Sequence, residues 1–201
     1  MNTKIIAFSG RKQSGKTICS EFLKGLLLSN GYSDVEIYNF ADPLKEDICM
    51  NMFGLSYVQC YGEDHNKNEL VDAYWEDKQL TARDLMQLIG TDLFRKLNNN
   101  IWVNALINKI KKSKLQVVIV SDCRFPNEIE AIKNNGGIVF RLNRNPHKSE
   151  HISESILDAC RYDWNNFNAI INNEHMTVRE QYDKLKKLML HFNVLSIEKS
   201  L

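Results

Sequence analysis

Residues Gly10-Arg11-Lys12-Gln13-Ser14-Gly15-Lys16-Thr17 satisfy the pattern G-x-x-x-x-G-K-[ST] at every fixed position. An apolar run, Ile5-Ile6-Ala7-Phe8, precedes them and a helical pattern follows. Strand, glycine-cornered loop and helix in that order make a phosphate-binding loop. Gly10 and Gly15 let the backbone curl until its N–H groups face phosphate oxygens. The helix opening near Gly15 brings the positive end of its dipole to the same spot. Lys16 reaches the outer phosphates of a nucleoside triphosphate, and the Thr17 hydroxyl suits Mg²⁺.

The rest of the chain supplies the frame for that loop. Strand one covers Lys4–Phe8. Helix one carries Ile18, Phe22, Leu23, Leu26 and Leu27 on one face and ends near Asn30-Gly31. Val35–Phe40 reads as strand two. Asp42 as N-cap and Pro43 as first helical residue start a helix through Ile48 and Met52 that stops at Gly54. Residues 55–79 are polar and weakly periodic, which predicts a surface excursion with short helical pieces. Thr81 caps a helix reaching about Leu97, with Leu85, Leu88, Ile89 and Leu93 inward, and a further helix spans Trp102–Lys112. Val117–Val120 is a continuous apolar run, as expected of a parallel strand covered on both faces. A helix from Pro126, strands at Ile138–Leu142 and Ala169–Ile171, and a closing helix from Thr177 to about His191 complete the pattern. Strands alternating with helices predict an α/β fold with a mainly parallel sheet. The 201 residues fit one domain, 1–201, with a core over about 1–54 and 113–195, an insertion over about 55–112 and a flap over about 143–160.

Composition excludes several classes. A formal charge of +1 provides no global field for gathering nucleic acid. No apolar stretch is long enough to span a bilayer, and Met1–Lys4 runs straight into strand one, which predicts no signal peptide and a cytoplasmic protein. The five cysteines form no C-x-x-C pair, so reduced thiols are expected, and the histidines show no ligand spacing with them. A GTPase would need D-x-x-G after its third strand, but Asp122 is followed by Cys123-Arg124-Phe125. Asn66-Lys67-Asn68-Glu69 only approximates N-K-x-D and lies in a polar loop. The dinucleotide-binding G-x-G-x-x-G is absent. A small-molecule kinase is favoured over both.

Phosphoryl transfer is mostly positioning and charge neutralisation, so arginines and a metal-binding carboxylate are the groups to seek. Asp122, at the end of the apolar strand, is a candidate for the Mg²⁺ shell or else a capping residue for the turn to Pro126. Arg83, Gln87, Thr91 and Arg95 recur four apart along the 81–97 helix, which makes one stripe that either lines an acceptor pocket or faces solvent. Arg141 and Arg144 follow the fourth strand and precede the polar segment Asn145–Glu154. There they either close over a transferring phosphoryl group or are ordinary surface arginines. Asp42 and Lys45 lie past strand two at the ligand edge of such a sheet, and Arg124 points to the same edge. Asp42 either orients an acceptor or simply caps its helix.

Several segments together resemble the bacteriophage deoxynucleoside monophosphate kinase family. They are Gly10–Thr17, Ala41-Asp42-Pro43-Leu44-Lys45, Gln87–Arg95, Trp102-Val103-Asn104, Ser121–Glu128 with its D-x-R-F-P-N-E, and His151-Ile152-Ser153-Glu154 with Leu157-Asp158. The likeness runs in order from residue 4 to about 180. It implies a three-layer P-loop fold of the NMP-kinase type, with a five-stranded parallel sheet, a helical acceptor-binding excursion and a flap. ATP with Mg²⁺ would be the donor, and a deoxynucleoside monophosphate such as dGMP, dTMP or a modified dCMP the acceptor. Lys16 and Thr17 would serve the donor phosphates and, with Asp122, the metal. Arg124, and Arg141 or Arg144, would clamp phosphates. Asp42, Lys45, Arg83, Gln87, Arg95, Trp102, His151 and Glu154 would serve the acceptor, and Asn172 would lie near the donor adenine. The resemblance implies action in a cytoplasm, that of the host if the chain is viral. A homodimer stays open. The P-loop ends in Lys-Thr where many relatives have Lys-Asp, Cys123 replaces a common Val, and residues 55–79 match weakly. Animal phosphomevalonate kinases resemble the P-loop and S-D-x-R pieces alone; they and a non-catalytic nucleotide-binding module are the alternatives.

Overall fold

The structure is a computed structural model, and it describes residues 3–146 and 151–196. Its strands, in chain order, are β1 (Lys4–Ser9), β2 (Val35–Tyr38), β3 (Leu70–Trp75), β4 (Lys78–Thr81), β5 (Val117–Cys123), β6 (Ile138–Leu142) and β7 (Ala169–Ile171). The chain divides into two compact units, one built from Met1–Asn39 with Ile107–Leu201 and the other from Phe40–Leu106.

The first unit contains a five-stranded sheet in the order β2-β5-β1-β6-β7, with every neighbouring pair parallel. The expected five-stranded parallel α/β core is therefore present. Val117, Val118, Ile119 and Val120 of β5 are all fully buried, which is why that strand reads as an unbroken apolar run. The core joins Ile6, Phe8, Ile119, Phe140 and Leu142 to Cys19, Leu23 and Leu27 of helix α1 (Lys16–Ser29) and to Leu185 and Met189 of the closing helix Val178–His191. Thr177 starts that closing helix with a reciprocal cap: its hydroxyl accepts from Glu180 N, and the Glu180 carboxylate accepts from Thr177 N. In an open parallel sheet the ligand edge lies at the carboxyl ends of the strands. Here those ends deliver Ser9, Asp122, Arg141 and Asn172.

The second unit differs from expectation in three ways. It begins at Phe40, ahead of the boundary expected near 55, because the helix Leu44–Met50 packs on the helix Tyr57–Tyr61: the Tyr61 hydroxyl contacts both Asp42 and Glu46. That first helix is π-wound, with Pro43 rather than Asp42 at its N-cap. Residues 55–79 hold the expected short helices, Tyr57–Tyr61 and Asp64–Lys67, but also the antiparallel hairpin β3–β4. Val71 and Ala73 alternate inward along β3. Finally, the helix starting after Thr81 is not α-helical throughout. Ala82–Gln87 is α, Leu88–Leu93 is π, and Phe94–Leu97 is α again. The wider π-turn rotates less per residue than an α-turn, so the angular positions of Arg83, Gln87, Thr91 and Arg95 do not follow α-helical spacing throughout.

Candidate active site

The loop following β1 is built by two glycines. A Cβ at Gly10 would lie 2.4 Å from Ser14 Oγ, a clash that keeps this position bare. Gly15 has φ +101°, and a Cβ there would come within 3.1 Å of Gln181 Nε2, so both its backbone and its neighbour favour glycine. Gln13 also takes a positive φ of 58°. The loop is braced from behind. Asn173, fully buried, donates Nδ2 to Ser14 O and to Gln181 Oε1, each at 2.8 Å. Gln181 in turn points Nε2 at Cys19 Sγ on α1.

Lys16 folds over this loop. Its ammonium donates to Gly10 O at 2.7 Å and to Arg11 O at 2.8 Å. Burial, and then the positive field of Arg124, push its pKa down to about 7 against the opposing fields of Glu154 and Asp122. Asp122, next to last in β5, thus acts electrostatically on the loop lysine. Asp122 and the Thr17 hydroxyl supply oxygen ligands of the kind Mg²⁺ takes, and Mg²⁺ commonly uses one or two protein groups with substrate phosphates and water. Among the described residues no cluster of three or more His, Cys, Asp or Glu side chains makes a self-contained metal cage.

Two carboxylates on the segment after residue 150 gather the cationic groups. Asp158 accepts from both Nε and Nη2 of Arg11, with the Nε contact at 3.0 Å, and its Oδ1 lies 3.7 Å from Arg141 Nη2. Glu154 accepts from the Lys12 backbone N–H at 2.7 Å and pairs with Arg124. Arg141 does not follow its strand, as expected from sequence. It lies within β6, opposite Ser9 in register, and is 3% exposed. Its Nη1 donates to Ser9 Oγ at 3.1 Å and its guanidinium lies over the Trp164 ring at 5.2 Å. Burial lowers its pKa from the ordinary arginine value, and Asp158 opposes the shift. Arg144 is engaged elsewhere: Nε donates to Asn173 O at 3.1 Å and Nη2 to Met176 O at 2.8 Å, so it staples the turn after β7. Asn172 is exposed and bonds Asn143. His151 caps the turn Ile152–Ser155 through Ser153 N. Of the expected flap, residues 147–150 lie outside the described residues.

The other expected acceptor residues belong to the second unit. Asp42 is buried and takes the Tyr61 hydroxyl at 3.1 Å, while the Lys45 ammonium sits 4.2 Å from the Tyr61 ring centre. Burial, reinforced by Asp42 and Glu46, raises the Tyr61 pKa and keeps its phenol protonated. Arg83 binds Asp64 at 2.8 Å and Asn68 at 3.0 Å. Gln87 lines a surface pocket with Trp75, Leu80, Leu88 and Asp92. Arg95 Nη1 donates to Asn99 O at 3.4 Å, near the limit of a hydrogen bond. Trp102 is 5% exposed, donates its indole N–H to Gly90 O at 2.8 Å and stacks on Phe94, so its polar atom is committed inside the unit.

Sequence reasoning did not single out Asp158, Asn173, Gln181, Glu128 or Tyr61. Two of them carried a signal. Gln181 lies at four-residue spacing from Leu185 and Met189, a polar residue on an apolar helix stripe. Asp158 sits in the quoted H-x-S-E and L-D segment without a role.

A glycine-cornered loop between the first strand and first helix of a parallel sheet, with a buried lysine and clustered arginines, defines a P-loop protein of the kinase class. The family model for deoxynucleotide monophosphate kinase matches residues 50–185. A protein of Acanthamoeba polyphaga mimivirus carrying that family's name is 32% identical over 199 residues, covering 90% of this chain and 93% of the relative. A deoxynucleoside-5'-monophosphate kinase of Escherichia phage T5 is 32% identical over 90 residues, 40% of this chain and 36% of its own. The chain belongs to the deoxynucleotide monophosphate kinase family and is a phosphotransferase. Among solved structures, shikimate kinase from Acinetobacter baumannii covers 96% of this chain and 96% of its own at 13% identity and a TM-score of 0.47. The Mycobacterium tuberculosis APS kinase CysC mutant covers 94% of this chain and 97% of its own at 11% identity and a TM-score of 0.45.

Proposed function

We propose that the protein transfers the γ-phosphoryl group of ATP to the phosphate of a deoxynucleoside monophosphate, giving ADP and the deoxynucleoside diphosphate. The observation that carries this reading is the convergence of Lys16, Arg11, Arg124 and Arg141 around one glycine-cornered loop in a chain of this family. Loop N–H groups and Lys16 cradle the donor phosphates. Arg124 and Arg141 offset the charge that spreads over the transferring phosphoryl oxygens. Arg11, Lys12, Gln13 and Ser14 complete the loop, and Asn172 borders the donor base. Arg144 serves indirectly, by fixing the turn that carries Asn173. Mg²⁺ held by Thr17 and Asp122 would neutralise charge between donor phosphates when bound.

The acceptor groups are proposed to be Asp42, Lys45, Arg83, Gln87 and Arg95 of residues 40–106, with His151 and Glu154. Lys45 and the arginines match a phosphate monoester, and Asp42 matches a hydroxyl or base N–H. Trp102 contributes by packing. Neither nucleic acid nor a membrane is a proposed partner; among the described residues no helix is long and apolar enough to cross a membrane. Action in the cytoplasm is proposed.

A panel of deoxy- and ribonucleoside monophosphates plus phosphomevalonate, assayed with ATP and Mg²⁺ by ADP release, tests the reading. Turnover with at least one deoxynucleoside monophosphate is expected. Turnover with phosphomevalonate alone, or with nothing, would overturn it.

A further inference from the structure

The anion-binding groups of the loop already hold an anion, and it belongs to the chain. Lys12 donates its backbone N–H to Glu154 Oε2 at 2.7 Å, and Arg124 Nη1 donates to Oε1 of the same carboxylate. Each oxygen therefore serves one donor. The Glu154 side chain is 11% exposed and that of Arg124 34%, so these contacts are partly shielded from water. Its charge also reaches Lys16, whose ammonium rests on Gly10 O and Arg11 O. A loop amide, a guanidinium and a nearby ammonium are the donors that a phosphate oxygen draws on. One turn, Ile152–Ser155, started by His151, delivers the carboxylate to them.

We propose that Glu154 is an internal occupant of the phosphoryl site, a positioning residue that holds the Lys12 amide and Arg124 in phosphate-binding geometry until a nucleotide phosphate displaces it. The proposal rests on the reading of Gly10–Thr17 as the nucleotide site. Two consequences follow from the chemistry. Arg124 stays oriented and paired while the site waits, so binding exchanges one anion for another and no bare guanidinium must be ordered. In return, every incoming polyphosphate competes with a tethered carboxylate, and its affinity is lower than the loop alone would give.

Isothermal titration of the full chain with inorganic tripolyphosphate tests this. Glu154→Gln keeps an oxygen for the Lys12 N–H and removes the competing charge. It should bind tripolyphosphate about tenfold more tightly than the wild type, a difference of about 1.4 kcal/mol. Glu130→Gln, a change of equal charge on the exposed side of the helix Pro126–Asn134, should stay within about twofold. Unchanged or weaker binding by Glu154→Gln would overturn the proposal, because removing an anion that competes for the same donors must raise affinity. If that variant fails to fold, carboxyl-carbon NMR of the wild type decides. The Glu154 resonance should move on adding tripolyphosphate, and a static resonance at saturation overturns the idea. Absence of any tripolyphosphate binding by the wild type sinks both this proposal and the P-loop reading. Tighter binding by Glu154→Gln, with no turnover by the wild type in the acceptor panel, leaves the proposal standing and removes the assigned acceptor.

Discussion

The Lys16 ammonium is buried beside Arg124, and its pKa is pushed down to about 7. An amine with that value is about 90% neutral at pH 8, whereas an exposed lysine would be almost fully charged. A bound triphosphate surrounds the same nitrogen with negative charge and restores its proton. Binding at pH 8 should therefore take up about 0.9 of a proton. The cost of that protonation grows with pH. With a free-protein value near 7 and a bound value near 10.5, ATP affinity should fall about eightfold from pH 7.5 to 8.5. Phosphate's own second ionisation lies near 6, so the ligand is close to fully ionised across this interval. Calorimetry in two buffers of different ionisation enthalpy reads the proton uptake directly. Lys16→Ala should bind weakly with a flat profile in this range. The sign for stability is also fixed. Between about 7 and 10.5 the unfolded chain holds a proton on Lys16 that the folded chain lacks, so this group's contribution to stability rises with pH there and is lost as pH falls through 7. A wild-type affinity that is level from pH 7.5 to 8.5, with no proton uptake, would refute the argument and return Lys16 to an ordinary solvated amine.

Asn173→Ala strips Ser14 O, the Gln181 amide and the Arg144 N–H of their partner in a buried setting. It should cost about 1–3 kcal/mol in denaturant unfolding and raise the ATP KM, since the loop loses its rear brace. Asp158→Ala removes the carboxylate shared by Arg11 and Arg141; with Arg141 only 3% exposed, a loss of about 2 kcal/mol and a reduced kcat are expected by melting and steady-state assay. Arg83→Ala should raise the acceptor KM severalfold with the ATP KM unchanged; equal effects on both would make Arg83 simply the partner of Asp64.

The parts of this protein that were legible in its sequence are those whose information is local. The strand, loop and helix over residues 4–29 follow from glycine spacing and apolar periodicity within one stretch. Val117–Val120 reads as a central strand because burial on both faces leaves no room for polar residues. The hairpin β3–β4 was hidden because only Val71, Ala73 and Leu80 turn inward, and the polar residues around them dominate the pattern. The π-wound stretch was hidden for another reason. Leu85 and Ile89 still keep α spacing, but Gly90 is the point at which Leu44 packs closely, and its carbonyl is satisfied by the indole of Trp102, twelve residues on. Such a long-range partner leaves no trace in spacing. Arg141 was misplaced because charge suggests a surface; an arginine inside the run Ile138-Val139-Phe140-Arg141-Leu142 is better read as a buried functional group with a waiting carboxylate.

The motif D-x-R-F-P-N-E illustrates how the site residues depend on others that never meet a substrate. Pro126 opens a helix with its φ already set, and Phe125 is 9% exposed. Glu128, at the third helical position, is 1% exposed, yet its Oε2 turns back to accept from Arg124 N at 2.7 Å and Phe125 N at 3.1 Å. That carboxylate fixes the backbone from which the Arg124 side chain departs. Its charge also suits the partial positive charge of the helix start. Glu128 and Glu154 therefore divide one task. The first sets where Arg124 begins and the second sets where its guanidinium ends, so the arginine is held at both ends before any phosphate arrives. An arginine ordered in advance loses little further side-chain entropy on meeting its ligand, which is the condition for its charge to act on the transferring group rather than on its own ordering.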